Sequence, residues 1–287
     1  MKWRFIDTGV NSGPMNMAID EALLTSKAPV LRFYRWKPAC LSIGYFQSIK
    51  NINFKNLKKY KGDIVRRPTG GNAVLHDKEL TYSVIIDEKK MPKSVIESYK
   101  IISKGLMQGL KNLGLDPKMN EDVKKEDKSA ICFNDPSWYE IVVNGKKIIG
   151  SAQKRINGKL LQHGAVLIGI DIKQYCSSFN NCNEEIIKKV KQRMTSINDE
   201  LKNFALARAR QGTSLAGCRV AKRPKPMHAK FFSDKINYET VKEAMKKGFE
   251  VGLNIKLKNS KLTKEELRLA KELERNKYST KEWNYSR

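Results

Sequence analysis

Histidine is scarce in this 287-residue sequence, which has three, and the five cysteines form no C-x-x-C pair. Zinc sites draw on clustered cysteine and histidine, so the composition argues against a resident metal. No apolar run approaches the ~20 residues that a membrane-spanning helix needs. The N-terminal Met1-Lys2-Trp3-Arg4-Phe5-Ile6-Asp7 has neither an apolar h-region nor a small-residue cleavage site. The expected setting is therefore the cytoplasm, away from membranes. An odd number of scattered cysteines in that compartment argues for free thiols. Acidic residues are also few, 30 against 56 basic, for a formal charge of +26. Such a field attracts nucleic acid, anionic membranes or acidic proteins without choosing among them. The lysines are spread over expected helices, with no aromatic-interleaved cluster, helix-turn-helix or zinc motif beside them. That disfavours a nucleic-acid-binding protein.

What is present describes a globular chain, long enough for one large domain or two small ones. Met15, Ala18, Ile19, Ala22 and Leu23 mark an amphipathic helix over 15–26. Strands follow at 30–36 and 40–46 with Pro38 at the turn, then a short helix at 54–61 ending at Gly62. A strand at 63–67 feeds a glycine loop, with 80–86 as its return partner. Ser94 and Glu97 cap a long helix running to Gly114. Residues 116–130 are charged and poorly patterned, a loop that could close over a site. Asn144-Gly145 and Asn157-Gly158 suit two-residue type I′ turns. Together they predict a three-stranded meander over 138–143, 146–155 and 160–169, with Val142 opposite Lys147. Residues 184–202 read as helical, as do 239–252 and 264–277, the last with a Thr263/Glu266 capping box.

From Asn203 to Lys235 the texture changes. Four of the fourteen arginines lie here with one acidic residue, Asp234, and Pro224 and Pro226 break any helix. A disordered basic insertion is the reading its low apolar content favours, and a basic arm on an acidic partner is the other. The expected organisation is a catalytic domain over 1–202, the insertion over 203–235, and a C-terminal helical segment over 236–287 packed on the domain.

The most informative stretch is Arg66-Arg67-Pro68-Thr69-Gly70-Gly71-Asn72-Ala73-Val74-Leu75-His76-Asp77. Successive glycines leave backbone N–H groups open to an anion or carbonyl, and an arginine supplies a charged fork for the same oxygens. Asn72 tolerates positive φ, so the turn survives there, whereas Ala73 leaves less room for a ligand. Cys40, inside an apolar run, is expected to be a buried small hydrophobe. Cys132 lies between a charged loop and Asn134-Asp135-Pro136-Ser137, where exposure is expected.

The loop Arg66-Arg67-Pro68-Thr69-Gly70-Gly71 with His76-Asp77 resembles the binding loop of the biotin/lipoate ligase and octanoyltransferase family. Cys132 in Ser129-Ala130-Ile131-Cys132-Phe133, followed by Gly145-Lys146-Lys147-Ile148-Ile149-Gly150-Ser151-Ala152-Gln153, resembles the LipM-type octanoyltransferases within it. The resemblance spans the chain except 203–235. It implies an α+β fold of the class II synthetase and biotin-ligase type, with a central mixed or antiparallel sheet flanked by helices. It also implies transfer of an octanoyl group from acyl carrier protein to a lysine of glycine cleavage H protein or a lipoyl domain. Cys132 would be the acyl-thioester nucleophile, and Lys147 the cation that lowers its pKa, with no cofactor. Lys146 should point to the opposite face of the strand. Arg66, Arg67, Thr69, Gly70, Gly71, His76, Ser151, Ala152, His163 and Gly164 would form the substrate-binding surface. The rivals are an amidotransferase between lipoyl domains and an ATP-dependent lipoate or biotin ligase.

Overall fold

A computed structural model describes residues 2–120, 140–211 and 236–286. The chain runs β1 (Lys2–Asn11), α1 (Gly13–Ala22), β2 (Val30–Trp36), β3 (Cys40–Ile43), α2 (Phe54–Lys59) and β4 (Asp63–Arg66). It continues through β5 (Val74–His76), β6 (Glu79–Asp87), α3 (Val95–Asn112) and β7 (Lys118–Asn120). From residue 140 come β8 (Glu140–Val143), β9 (Lys146–Ile156), β10 (Lys159–Leu167), α4 (Ile172–Ser177), α5 (Glu184–Arg193) and α6 (Ile197–Gln211). From residue 236 come α7 (Tyr238–Leu253), β11 (Lys256–Asn259), α8 (Lys264–Leu273) and α9 (Lys281–Asn284).

Eight strands form one sheet in the order β11-β1-β2-β6-β10-β9-β8-β7. Its first three strands are parallel and every later pair is antiparallel, so the sheet is mixed and the fold α+β, as expected. A smaller sheet, β4-β3-β5, carries the glycine loop. The central strand β6 explains how the site is floored. Leu80, Tyr82, Val84 and Ile86 join the larger core with residues of α3 and α7. Thr81 and Ser83 alternate with them, and the Ser83 hydroxyl reaches Asp20 of α1 on the other face. Period-two alternation thus puts an apolar core on one side of the sheet and a buried polar layer on the other. Helices α3 and α7 close over the apolar side at very short range. A Cβ added to Gly248 would lie 2.3 Å from the Gly109 nitrogen.

The expected meander is β8, β9 and β10. Asn144, Gly145, Asn157 and Gly158 all have positive φ, the backbone that type I′ turns require, and Val142 pairs with Lys147. The capping box of Thr263 and Glu266 is present in full. Other expectations are corrected. Strand 63–67 does not return through 80–86: β4 lies parallel to β3, and the loop returns through the three-residue β5. Strand β6, buried along almost its whole length, sits in the main sheet instead. The strand expected over 40–46 ends at Ile43. The helix expected over 15–26 starts at Gly13, with Ser12 as N-cap, and tightens into a 3-10 turn after Ala22.

Helix α2 closes on Lys61, which takes the left-handed conformation (φ 51) one residue before Gly62. The single helix expected over 184–202 is two, because Met194 leaves α5 extended and bridges to Lys147. Helix α6 continues through 203–211, into the stretch read as an insertion; residues 212–235 lie outside the described residues. Of the loop expected over 116–130, residues 118–120 form β7, and the part beyond 120 also lies outside them. The C-terminal segment is not purely helical, because β11 extends the main sheet beside β1. The helix expected over 264–277 is α-helical only to Leu273, followed by a π turn to Tyr278.

Candidate active site

Consecutive strand residues point to opposite faces, and Arg66 and Arg67 divide their work accordingly. The Arg66 guanidinium donates to the carbonyls of Gly44 (2.8 Å), Gln47 (2.8 Å) and Asn284 (3.2 Å). It therefore clamps the 44–47 loop to the C-terminal tail and does not line the cavity described below. Arg67 donates to the carbonyls of Ser42 (3.1 Å), Gly70 (2.7 Å) and Asn72 (2.9 Å), fixing the curvature of the glycine loop. Gly71 is the residue at positive φ (+89), not Asn72. Its carbonyl passes so near Gly44 that a Cβ there would lie 1.7 Å from the Gly71 oxygen. The Ala73 side chain is fully buried.

Both motif histidines are held in place by buried partners. His163 Nδ1 lies 3.0 Å from Asp20 Oδ2, so its Nε2 accepts from the Thr69 hydroxyl at 2.7 Å. Burial pushes the His163 pKa below the ordinary value, only partly opposed by Asp20, which leaves the ring neutral. Burial alone would raise the Asp20 pKa. The Arg32 guanidinium at 2.6 Å, His163 and the Ser83 hydroxyl instead hold it below the usual carboxylate value. His76 Nδ1 lies 2.7 Å from Glu79 Oε1, and its Nε2 lies 2.7 Å from the Ser42 hydroxyl. The His76 ring stacks on Trp36 with centroids 4.1 Å apart. Both histidines thus brace walls of the site.

Lys147 reaches the site through an irregularity that the sequence pattern did not disclose. Val142 pairs with Lys147 but Ile141 with Ile149, which leaves Ile148 as an extra residue in β9. A bulge of this kind shifts side-chain alternation by one. Gly150 and Ala152, opposite Ala165 and His163, line the cavity. Strict alternation would send Lys147 to the far face from them, and the bulge returns it. Gly150 makes room for it, since a Cβ there would lie 3.1 Å from Lys147 Cε. The ammonium, 5% exposed as a residue, sits 2.5 Å from Glu140 Oε1. Lys146 is on the less buried side, and Lys154 lies over the Tyr45 ring, 4.1 Å from its centroid. The Ser151 hydroxyl lies 2.7 Å from the Tyr82 hydroxyl, whose pKa burial pushes up, so the phenol keeps its proton. Gly164 lets β10 pass close beneath, because a Cβ there would lie 2.4 Å from the Gly150 carbonyl.

These groups surround a cavity of about 170 Å³. Met17, Tyr34, Trp36, Val74, Ala165 and Leu167 supply apolar wall; Arg67, Lys147, His76 and His163 supply polar points. It extends from β2 across β6 and β10 to β9, three strand spacings of about 4.8 Å each, or roughly 14 Å. Of the residues singled out in the sequence, Arg67, Gly71, His76, Lys147, Ser151, Ala152, His163 and Gly164 line it. Thr69 stands behind His163, Gly70 contributes a carbonyl to Arg67, and Arg66 is a clamp. Cys132 lies outside the described residues. Sequence reasoning missed Asp20, Ser42, Gly44 and Glu140. None of the four carried a local signal: Asp20 lies off the stripe of Met15, Ala18, Ile19, Ala22 and Leu23, and its partners are set by packing.

Burial raises the thiol pKa of Cys40, of Cys176 (to about 12) and of Cys182, and none of the three lines the cavity. Among the described residues no three His, Cys, Asp or Glu side chains gather as metal ligands. No described helix is long and apolar enough to cross a membrane.

Known proteins resemble this chain in sequence and in fold. The family described as the lipoyl protein ligase A/B catalytic domain matches residues 12–213. The chain is 42% identical to the octanoyltransferase LipM of Bacillus subtilis, over 99% of this chain and 98% of that one. It is 41% identical to the LipM of Staphylococcus aureus at the same coverage, 99% and 98%. Among solved structures, lipoate-protein ligase A bound with ATP superposes with a TM-score of 0.75 at 25% identity, covering 99% of both chains.

Proposed function

This chain belongs to the lipoyl protein ligase A/B catalytic-domain family and is an acyltransferase, and from that premise we propose its donor, acceptor and mechanism. The reaction is octanoyl transfer in protein lipoylation. The donor is octanoyl-acyl carrier protein, and the acceptor is a lysine of glycine cleavage H protein or another lipoyl domain. The observation that carries this reading is Lys147, a buried ammonium at one end of an otherwise largely apolar cavity. A dry cavity of about 150 Å³ holds a six-carbon ring, so one of 170 Å³ suits a medium-length alkyl chain. Burial of each methylene contributes about 0.8 kcal/mol to holding it.

In the proposed route the Cys132 thiolate attacks the donor thioester. Its sulfur–carbon bond forms as the carrier's sulfur–carbon bond breaks, and the carrier leaves as a thiolate that takes up the proton Cys132 gave up on ionising. The acceptor lysine, as free amine, then attacks the acyl carbon; a nitrogen–carbon bond forms, the Cys132 bond breaks, and the amine's proton returns to sulfur. Two moderate steps replace one difficult step. A thiol of ordinary pKa near 8.5 needs a nearby cation to ionise at neutral pH, which is the role of Lys147. Arg67 and the Gly70-Gly71 turn shape the entrance, and Ser151, Ala152, His163 and Gly164 form the acyl-binding wall.

The reading is tested by supplying octanoyl-acyl carrier protein and apo-H protein without nucleotide. Octanoylated H protein should accumulate. Product that forms only from free octanoate with ATP would instead make the chain a ligase.

A further inference from the structure

The cavity opens where Gly71 is exposed. Beside that opening the fold packs the C-terminal tail against residues 44–61. Gly71 abuts Gly44, and two residues on stands Phe46, 71% exposed. Phe46 packs edge-on against Tyr45 at 4.8 Å, Tyr45 against Trp283 at 5.7 Å, and Tyr285 against Phe54 of α2 at 5.7 Å. The Arg66 clamp locks the loop and the tail into one rigid unit. The result is an aromatic ridge in two packed groups, Phe46-Tyr45-Trp283 at the 44–47 loop and Tyr285-Phe54 at the start of α2.

Beyond it, Lys50, Lys55, Lys58, Lys59 and Lys61 are all exposed. Residues 46–62 contain no acidic side chain, and none of the five lysines is ion-paired among the described residues. Lys50 to Lys61 and Phe46 belong to one stretch of sequence, and the tail aromatics Trp283 and Tyr285 join it from more than 200 residues away.

Exposed aromatics anchor protein–protein contacts, while a one-signed rim steers the partner and sets the on-rate. We propose that this ridge and the α2 lysines are the docking surface for an acidic carrier domain, whose modified side chain enters at Gly71. The inference rests on the proposed function for the identity of the carrier. Position decides between an acidic protein and other anions: the surface borders the mouth of a narrow apolar cavity. A partner held there can thread one side chain inward, which a nucleic acid backbone has no means to do.

Binding is read directly, apart from turnover, by fluorescence anisotropy of labelled apo-H protein at low salt. The variants are Lys55→Glu/Lys58→Glu/Lys59→Glu, the same three changed to Gln, and Phe46→Ala. The Glu triple should raise Kd at least tenfold, and the Gln triple less. Added salt should weaken the wild type toward the triple variants, since it screens exposed charge. Phe46→Ala should raise Kd with little salt dependence. Charging of the enzyme by a small donor, octanoyl-N-acetylcysteamine, should be unchanged in every variant, which shows that the fold and site are intact.

Three results would overturn the inference. One is an unchanged Kd in the α2 variants; another is an equal loss in Lys256→Glu/Lys258→Glu, on the distant strand β11. The third is an oligonucleotide binding this face more tightly than the carrier. If the wild type binds the carrier here but transfers no octanoyl group, the proposed reaction fails and the docking surface stands.

Discussion

The Lys147 ammonium lies 2.5 Å from a carboxylate oxygen of Glu140, and both side chains are nearly sealed from solvent. They come from adjacent strands, and the bulge at Ile148 puts them on one face. A lone buried ammonium tends to shed its proton. The carboxylate pairs with the ammonium beside the cavity and fixes where the side chain sits.

The first prediction concerns stability. Removing one member of a buried ion pair leaves the other charge poorly compensated, at a cost of about 3 kcal/mol, whereas replacing both with apolar groups is near neutral. Lys147→Met alone should therefore lower Tm more than Lys147→Met combined with Glu140→Leu. Neither protein should be active. A double variant less stable than the single one in thermal melts would show that the pair is not coupled.

The second concerns the nucleophile. Lys147→Ala should raise the Cys132 pKa and slow its alkylation by iodoacetamide at neutral pH. The difference should vanish at high pH, where the thiol ionises unaided. Equal rates at neutral pH would remove Lys147 from the role assigned to it.

The third follows from His163. Its folded-state pKa is depressed by burial, so below its unfolded value of about 6.5 the unfolded chain binds the extra proton and stability falls. The loss begins as pH drops through 6.5 and ends below the folded pKa, with a slope of at most about 1.4 kcal/mol per pH unit. In urea titrations His163→Gln should flatten this dependence and lower stability at neutral pH, because Asp20 and Thr69 lose their ring partner.

The glycines give a contrast within one motif. Gly44→Ala drives a Cβ into the Gly71 carbonyl, while a Cβ on Gly70 meets nothing within 4 Å. Gly44→Ala should therefore lower Tm by several degrees and abolish activity. Gly70→Ala should melt like the wild type. The reverse order would mean that the loop is built differently.

Local patterns made much of this fold legible. The Asn-Gly turns set the meander and the 142–147 register, Ser94 capped α3, and Val30–Trp36 read as a strand at its true limits. What failed was non-local. Nothing near Arg66 says that its guanidinium will meet the carbonyls of residues 44, 47 and 284, and two adjacent arginines in a ligand loop look equivalent until the strand faces are assigned. Asp20 and Glu140 read as ordinary acids because their partners, Arg32 with His163 and Lys147, are set by packing. The Ile148 bulge leaves no mark in a run of apolar residues. Strand β6 was paired with the wrong neighbour because its two-faced burial fits either sheet on paper.

The most direct test of the central claim is intact-protein mass spectrometry after mixing the enzyme with octanoyl-acyl carrier protein and no ATP. One octanoyl group should appear, removable by hydroxylamine, mapped to Cys132, absent in Cys132→Ala, and discharged onto H protein lysine when apo-H protein is added. An enzyme that stays unmodified while transferring octanoate only in the presence of ATP would contradict the account.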